Sequence, residues 1–301
     1  MKKIVFLLLS LSLLSCSGEK NIPNPNKGIK TETMSVYKAE EKFGETVWQI
    51  LRKNISKFDS NGNHVEKSFY EDGTLDYKDV SEYDSDGNEI KRTSYDKDGA
   101  LDRYVVDKPD SSGNMVERLY YYPDGRLESK LVRLYDSNGN EVENSYYYSD
   151  GTISGKTVNK YDSFGNKVEE LKYGKDEKYK GKTIRKYNSY GNEVEELNYD
   201  KDGTFKGKFT SKYNSNGNRV EHLQYGNDNT TSYKDISKYD SNGNEIELLS
   251  YSPDGTLSMK QISKYNSKNH VIEIMQYRSE TQYGETQDVP NRKITYEYEY
   301  Y

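Results

Sequence analysis

The stretch YDSNGNEIELLSYSPDGTLSMKQISK, residues 239–264, contains two turn sequences separated by runs of strand-forming residues. Asn-Gly in the first turn and Asp-Gly in the second supply the positive φ that tight hairpin turns require. The runs include Ile246, Tyr251 and Ile262, which are residue types that favour a pleated sheet. This stretch therefore predicts two antiparallel strands.

The same unit recurs every 26 residues along most of the chain. One column of tyrosines precedes the first turn of each unit, with Pro109 in the place of one member: Tyr83, Tyr135, Tyr161, Tyr187, Tyr213, Tyr239 and Tyr265. A second column lies before the second turn: Tyr70, Tyr95, Tyr121, Tyr147, Tyr173, Tyr199, Tyr225, Tyr251 and Tyr277. Glycines recur too often for a helical pattern.

The periodicity predicts an all-β fold in which tandem antiparallel β-hairpins form a long twisted or spiralling meander sheet. Eight to nine such repeats fill residues 58–277. Odd and even loop lengths both preserve the period, so the pattern leaves open which face of the strands is buried.

Runs such as KYDSFGN at residues 160–166 and KYDSNGN at residues 238–244 resemble the Tyr-Asp repeats of RHS-type bacterial surface proteins. The resemblance covers residues 57–277. It implies a spiralling β-sheet, which in large RHS proteins forms a shell around a toxin. No long unique region follows the repeats, so we expect no toxin payload.

The N-terminal residues differ from the repeats. Lys2 and Lys3 precede an apolar run that ends in LLSC at residues 13–16, and the run is too short for a permanent membrane-spanning helix. The LLSC sequence resembles the lipobox of bacterial lipoproteins, which implies cleavage before Cys16 and lipidation of its thiol. An ordinary secretory signal is the alternative. We expect a signal peptide over residues 1–15 and an envelope protein held at the outer membrane or cell surface by its lipid.

Three further segments flank the repeats. Residues 16–36, with Pro23 and Pro25 among Asn, Lys and Gly, predict the lipidated cysteine and a flexible tether. Residues 37–57 resemble a degenerate N-terminal half-repeat or cap, and residues 278–301 alternate like C-terminal capping strands.

Composition limits the function classes. The formal net charge is −6, from 44 Lys plus Arg against 50 Asp plus Glu, and the two signs are interspersed, which argues against nucleic acid as a partner. Apolar residues make up 32% even though 31 residues are Tyr, so a thick aliphatic core is excluded.

No pattern for catalysis or cofactor binding occurs. His64, His222 and His270 lie in different units at unlike positions, so we expect them to be surface residues and not metal ligands. Oxygen-rich turns such as residues 84–89 offer calcium ligands, but their glycine comes fourth and not sixth, and turn formation explains them better. We expect no enzymatic activity, no cofactor and no metal.

The sequence therefore predicts a non-enzymatic, lipid-anchored repeat protein that acts as a scaffold or as a binding and adhesion module. The alternative predictions are a transmembrane β-barrel and an RHS-like shell fragment associated with another protein. The candidate binding surface, for a glycan or protein ligand, is the ladder of amphipathic rings in the second column: Tyr95, Tyr121, Tyr147, Tyr173, Tyr199, Tyr225 and Tyr251.

Overall fold

The computed structural model describes residues 24–282 and 285–301. Twenty β-strands form one sheet in which every strand pairs antiparallel with its chain neighbour. Within these residues the single helical segment is a 3-10 turn, Lys175–Glu177. The predicted all-β class and the tandem hairpins are confirmed.

The strands follow one another with short turns between them. The first ten are β1 (Ile29–Lys42), β2 (Glu45–Phe58), β3 (His64–Glu71), β4 (Thr74–Tyr83), β5 (Glu89–Asp96), β6 (Leu101–Pro109), β7 (Met115–Tyr121), β8 (Leu127–Tyr135), β9 (Glu141–Tyr148) and β10 (Ile153–Tyr161). The second ten are β11 (Lys167–Tyr173), β12 (Tyr179–Tyr187), β13 (Glu193–Asp200), β14 (Phe205–Tyr213), β15 (Arg219–Tyr225), β16 (Thr231–Tyr239), β17 (Glu245–Tyr251), β18 (Leu257–Tyr265), β19 (Val271–Gln282) and β20 (Glu285–Tyr300).

The turns adopt the geometry that their residues predict. Between β8 and β9, the Gly139 amide donates to the Asp136 carbonyl at 3.1 Å, and the Asp136 amide donates to the Asn140 carbonyl at 2.9 Å. Gly139 has a φ of 80°, the left-handed conformation of a three-residue hairpin loop with a bulge. Where a unit lacks this glycine, Asn229 and Asn269 adopt the same conformation.

The sheet closes on itself, because β1 pairs with β20 as well as with β2. Ser35 lies opposite Lys53 on one side and opposite Thr295 on the other. The Tyr301 amide also donates to the Gly28 carbonyl at 3.1 Å. The predicted open meander is therefore wrong: the strands form a closed 20-strand antiparallel barrel.

The strands that complete the closure come from both ends of the chain. β1 begins within the segment that the sequence assigned to a tether, and β2 occupies most of the predicted cap. Val36 pairs with Ile294, which pairs in turn with Ile274 on the same face, and Val36 is 1% exposed. Burial of these aliphatic side chains favours the closing contact.

A regular shift in strand register gives the barrel its curvature. Val80 pairs with Thr93, and Thr93 pairs with Tyr104 on the next strand. In the 26-residue repeat, however, Tyr104 is equivalent to Lys78, so the register moves by two residues in each unit. Such a shear tilts the strands and lets the sheet close, and a circular 20-strand barrel of this kind is roughly 40 Å across.

The wall of the barrel has two faces of different chemistry. Lys78 pairs with Tyr95 on one face, and Asp79 pairs with Ser94 on the other. We call the first, with its equivalents in each unit, the tyrosine face. We call the second, which also carries Arg92 and its equivalents, the arginine face.

Contacts between alternate strands identify the inner face. On the arginine face, Arg118 of β7 lies 3.8 Å from Glu89 of β5, although β6 separates the two strands. Side chains two strands apart converge on the concave side of a curved sheet and diverge on the convex side. On the same face, Lys67 of β3 acts electrostatically on Glu32 of β1, and Arg92 of β5 acts on His64 of β3. On the tyrosine face, Lys260 of β18 reaches Asp288 of β20 at 3.1 Å, where the β19–β20 hairpin extends past its pairing with β18. We therefore assign the arginine face to the lumen and the tyrosine face to the outer surface.

The barrel has no thick apolar core. Among the described residues five apolar side chains are buried: Ile29, Val36, Phe58, Leu119 and Leu131. The single-layer wall is held mainly by strand pairing and cross-strand side-chain contacts, as the composition indicates.

Breaking the closing strand is expected to destabilise the whole barrel. Thr295 lies inside β20, between its partners Ser35 and Glu273. Thr295→Pro removes a ladder hydrogen bond and should lower the free energy of unfolding by about 3 kcal/mol or more. Urea denaturation measures this loss, and size-exclusion chromatography should show association through the exposed edge.

A matched control is Ser241→Pro, in the turn between β16 and β17. Proline is favoured at this turn position, and Pro123 and Pro253 occupy the equivalent place in other turns. The control should change stability by less than about 1 kcal/mol. Equal stability of the two proline variants would contradict the closed barrel.

Candidate functional surfaces of the barrel wall

The second tyrosine column lies half-buried on the outer face, where lysines partly cover its rings. The Lys130 ammonium lies 5.1 Å from the centroid of the Tyr147 ring on the neighbouring strand. Four more of the predicted tyrosines have the same type of neighbour: Tyr95, Tyr173, Tyr199 and Tyr225 contact Lys78, Lys156, Lys182 and Lys208. Tyr251 lies in register with the equivalent lysine, Lys234. Tyr121 stacks on Tyr104 instead, at 4.8 Å between centroids.

These contacts give the column a structural role. A cation–π contact at a partly exposed site contributes about 0.5–1 kcal/mol. The rings lie along one face, as a ladder, and six of the seven contact a lysine or another tyrosine. Their role as a binding surface stays a prediction.

The outer face also carries a belt of ion pairs beside the tyrosines. Lys160 donates to Glu169 at 2.6 Å, and this hydrogen bond raises the pKa of Lys160. Glu221 lies between Lys212 and Lys234, at 2.7 and 3.4 Å, and the bond from Lys212 lowers the pKa of Glu221. Equivalent pairs recur around the barrel: Lys108–Glu117, Lys186–Glu195, Lys238–Glu247 and Lys264–Glu273.

The first tyrosine column has a function that the sequence alone did not indicate. The Tyr213 hydroxyl donates to the backbone carbonyl of Glu193 at 2.8 Å, and so joins one hairpin to its predecessor. The sequence feature that could have indicated this hydrogen bond is the position of the tyrosine just before the turn. The same hydrogen bond recurs with the carbonyl 19 or 20 residues earlier in the chain: Tyr83–His64, Tyr135–Met115, Tyr161–Glu141, Tyr187–Lys167, Tyr239–Arg219 and Tyr265–Glu245.

The turn carboxylates are satisfied within their own turns. Asp136 Oδ1 accepts the amides of Asn138 and Asn140 at 2.9 Å, and Asp136 Oδ2 accepts the Asn140 side-chain amide at 2.9 Å. The side-chain hydrogen bond with Asn140 is the largest cause that lowers the pKa of Asp136. In residues 24–282 and 285–301 no group of three or more His, Cys, Asp or Glu side chains is placed to hold a metal.

The inner face contains an ionic network that the column pattern did not predict. Arg118 donates two hydrogen bonds to Asp107, which is 6% exposed, and these bonds raise the pKa of Arg118. Arg92 donates to both oxygens of Glu89, and the Ser81 hydroxyl donates to Glu89 at 2.6 Å. Because these residues change from one unit to the next, they form no column in the sequence.

A trough of about 520 Å³ lies beside this network. Tyr77 of β4 and Tyr120 of β7 form part of its lining, together with Ser94, Arg103 and Asp79. The small Ser94 leaves room between the larger side chains, and its hydroxyl donates to Asp79 at 2.6 Å. The lumen wall can therefore hold polar groups against aromatic rings.

A scan of protein-family models and a sequence search of curated proteins found no match. Solved structures are similar in fold only. A porin-like protein from Bacteroides uniformis has 11% identity and a TM-score of 0.37, over 91% of this chain and 98% of that one. TcdB2-TccC3 has 12% identity and a TM-score of 0.31, over 84% of this chain, which spans 20% of the other.

A third similar structure is the Tc holotoxin pore of Photorhabdus luminescens, with 11% identity and a TM-score of 0.26; the alignment covers 81% of this chain and 19% of that one. At these identities and scores no function transfers from the three proteins. The tandem β-hairpin architecture is confirmed by the barrel itself, and membership of the YD-type repeats stays a prediction.

The three histidines lie in separate parts of the wall and are half-buried. His64 makes an edge-on contact with Phe58, His222 lies 3.1 Å from the Ser211 hydroxyl, and His270 lies 2.8 Å from the Tyr300 hydroxyl. Burial lowers the pKa of each.

Cys16 and the predicted signal peptide lie outside the described residues. In the part of the chain that the structure describes, no helix is long and apolar enough to cross a membrane.

Acidification is expected to weaken the turns. Hydrogen bonds lower the pKa of Asp84, Asp110, Asp136, Asp162 and Asp240 below the usual value near 3.9. A lowered pKa in the folded state adds stability above the unfolded-state pKa, and this stability disappears as the pH falls through the folded-state value. The melting temperature should therefore fall between about pH 4 and pH 2.

Asp136→Asn tests the cause, since asparagine occupies this turn position at Asn188 and Asn214. The variant should melt below the wild type at pH 6, and the difference should disappear at pH 2. A difference that is the same at both pH values would show that the carboxylate charge is irrelevant.

Removing one hydroxyl group of the first tyrosine column should lower the stability of the barrel. Tyr213→Phe leaves the Glu193 carbonyl without this donor and should lower the free energy of unfolding by about 1 kcal/mol. Tyr190→Phe is the control, because the Tyr190 side chain is 87% exposed, and it should change stability by less than about 0.5 kcal/mol. Equal urea midpoints for the two variants would refute a stabilising role of the hydroxyl.

Proposed function

We propose that the chain is a non-enzymatic, hydrophilic β-barrel of the bacterial cell envelope, and that it acts as a shell around a polar guest. The closed barrel with a polar lumen is the observation that supports this. It fits the barrel and shell alternatives better than an open adhesive sheet, because closure leaves no continuous sheet edge and turns one face inward.

The inner wall supports an aqueous interior. It carries buried and half-buried charges in ion pairs, such as Arg118 with Asp107 and Arg185 with Glu196. A barrel that is roughly 40 Å across from backbone to backbone is too wide for the side chains of a single-layer wall to fill. A hydrated guest, such as a polar polypeptide segment or a glycan, suits this lining better than an apolar one.

The outer wall supports a location in water and not in lipid. Its lysine–glutamate belt would have to be desolvated in a bilayer, where a charged side chain near the centre costs about 2–4 kcal/mol. β7, β11, β15 and β17 have 7 residues, whereas a membrane-spanning strand needs about 9–11. The predicted lipid on Cys16 would then hold the barrel beside the membrane.

A membrane-inserted barrel is the second candidate. It is favoured by one observation, the closure of an even number of antiparallel strands, which is the rule for bacterial outer-membrane barrels.

Cys16→Ser separates the two candidates. In the proposed shell, loss of the lipid should move the protein from the membrane fraction to the soluble fraction without detergent, and its solution scattering should be that of a hollow particle. Radiolabelled palmitate should be incorporated by the wild type and not by the variant.

A Ser17→Ala variant is the control and should stay lipidated and membrane-bound. Retention of Cys16→Ser in carbonate-washed membranes, together with channel conductance in planar bilayers, would favour the inserted barrel and overturn the proposal.

A further inference from the structure

The near-identity of the repeats provides an internal control for function. Residues that the fold requires recur in every unit. A residue that departs from its column therefore indicates a role other than folding in that unit. The third residue of the first turn is polar in seven units: Asn61, Asp86, Ser112, Asn138, Asn216, Asn242 and Lys268. In two neighbouring turns it is aromatic instead.

The two aromatic residues are Phe164 and Tyr190, whose side chains are 78% and 87% exposed. The turns that carry them have the same backbone hydrogen bonds and left-handed glycines as the others, at Gly165 and Gly191. Neither ring is needed for the turn. Large exposed rings at adjacent tips of one barrel rim are available to contact a ligand.

A second departure occurs at the same place. The first turn residue is Asp in most units but Asn at Asn188, Asn214 and Asn266, and the first two of these lie in the turns before β13 and β15. Asn188 Oδ1 still accepts the amides of Tyr190 and Asn192 at 3.0 Å. The second carboxylate oxygen is replaced by an NH₂ group, so the Asn192 side chain loses the acceptor that Asn140 has in Asp136.

The β12–β13 turn with Asn188 and the β14–β15 turn with Asn214 border a cavity of about 700 Å³ at the rim. This size is within the roughly 300–1,000 Å³ of small-ligand sites. One charged residue, Lys212, is among its lining residues, and its ammonium is already paired with Glu221 at 2.7 Å. The other polar lining residues are amides and hydroxyls, including Asn188, Asn192, Asn214 and Ser215.

This combination selects a class of ligand. A side-chain amide offers a donor and an acceptor together, which matches neighbouring hydroxyl groups. A tyrosine ring presents an apolar face with a polar edge, which suits the C–H face of a sugar ring. The lining has no unpaired charge to bind an ionic ligand.

We infer that the rim between the β12–β13 and β14–β15 turns binds a neutral oligosaccharide, with Tyr190 as the stacking platform and the turn asparagines as hydrogen-bonding groups. This site is separate from the second tyrosine column. It lies at the rim, where Ser211 and Tyr213 extend its lining onto the inner face, and it does not depend on whether the barrel is a shell or spans a membrane.

The test titrates the full-length chain with maltohexaose, cellohexaose and chitohexaose, followed by isothermal calorimetry and by saturation-transfer NMR. At least one should bind saturably. Tyr190→Asn should weaken that binding about tenfold through loss of one stacking contact. Asparagine occupies this position in four other turns, so the variant retains the fold.

Asn214→Asp restores the common turn and places a carboxylate in the cavity, so it should also weaken binding. Asn61→Ala, at the position equivalent to Tyr190 in the distant β2–β3 turn, should leave affinity unchanged. No saturable binding of any of the three sugars, equal affinity of Tyr190→Asn and the wild type, or tighter binding of an acidic hexasaccharide or a peptide would overturn the inference.

Discussion

Pairing of β1 with β20 is the constraint on which the rest of the structure depends. A 20-strand antiparallel sheet with free ends would expose two long rows of unpaired backbone groups, and it would curl without a fixed radius. Joining the ends fixes the circumference and gives each strand a partner on both sides. Closure also distinguishes the two faces of the wall, because one of them must then converge on a lumen.

Much of the local structure could be predicted from the sequence. The Asn-Gly and Asp-Gly turns, the two strands per unit and the alignment of tyrosines in columns all follow from local chemistry that repeats every 26 residues. The direction in which each face points does not, because it depends on closure. Local rules suffice here because each hairpin is set by its own turn, as at Gly139 and its bonds to Asp136.

Closure could not be predicted in the same way, since it depends on segments that depart from the repeat. β1 has none of the repeat columns, and its partner β20 lies at the other end of the chain. The ionic network of Arg118 and Asp107 was missed for a related reason: it is specific to one unit, and a column comparison emphasises what units share. Tyr190 is visible in the sequence as an exception to its column. The cavity beside it is not, because it forms only where two turns lie together in the fold.

The two-residue register shift in each unit has a consequence for the size of the barrel. Because every unit contributes both two strands and its own share of the shear, the ratio of shear to strand number does not depend on how many units are present. Gain or loss of one 26-residue unit would change the diameter by roughly 4 Å while strand tilt, turn geometry and side-chain pairing stay the same. The bore of such a protein can therefore vary in steps by duplication or deletion of units, with no redesign of the wall.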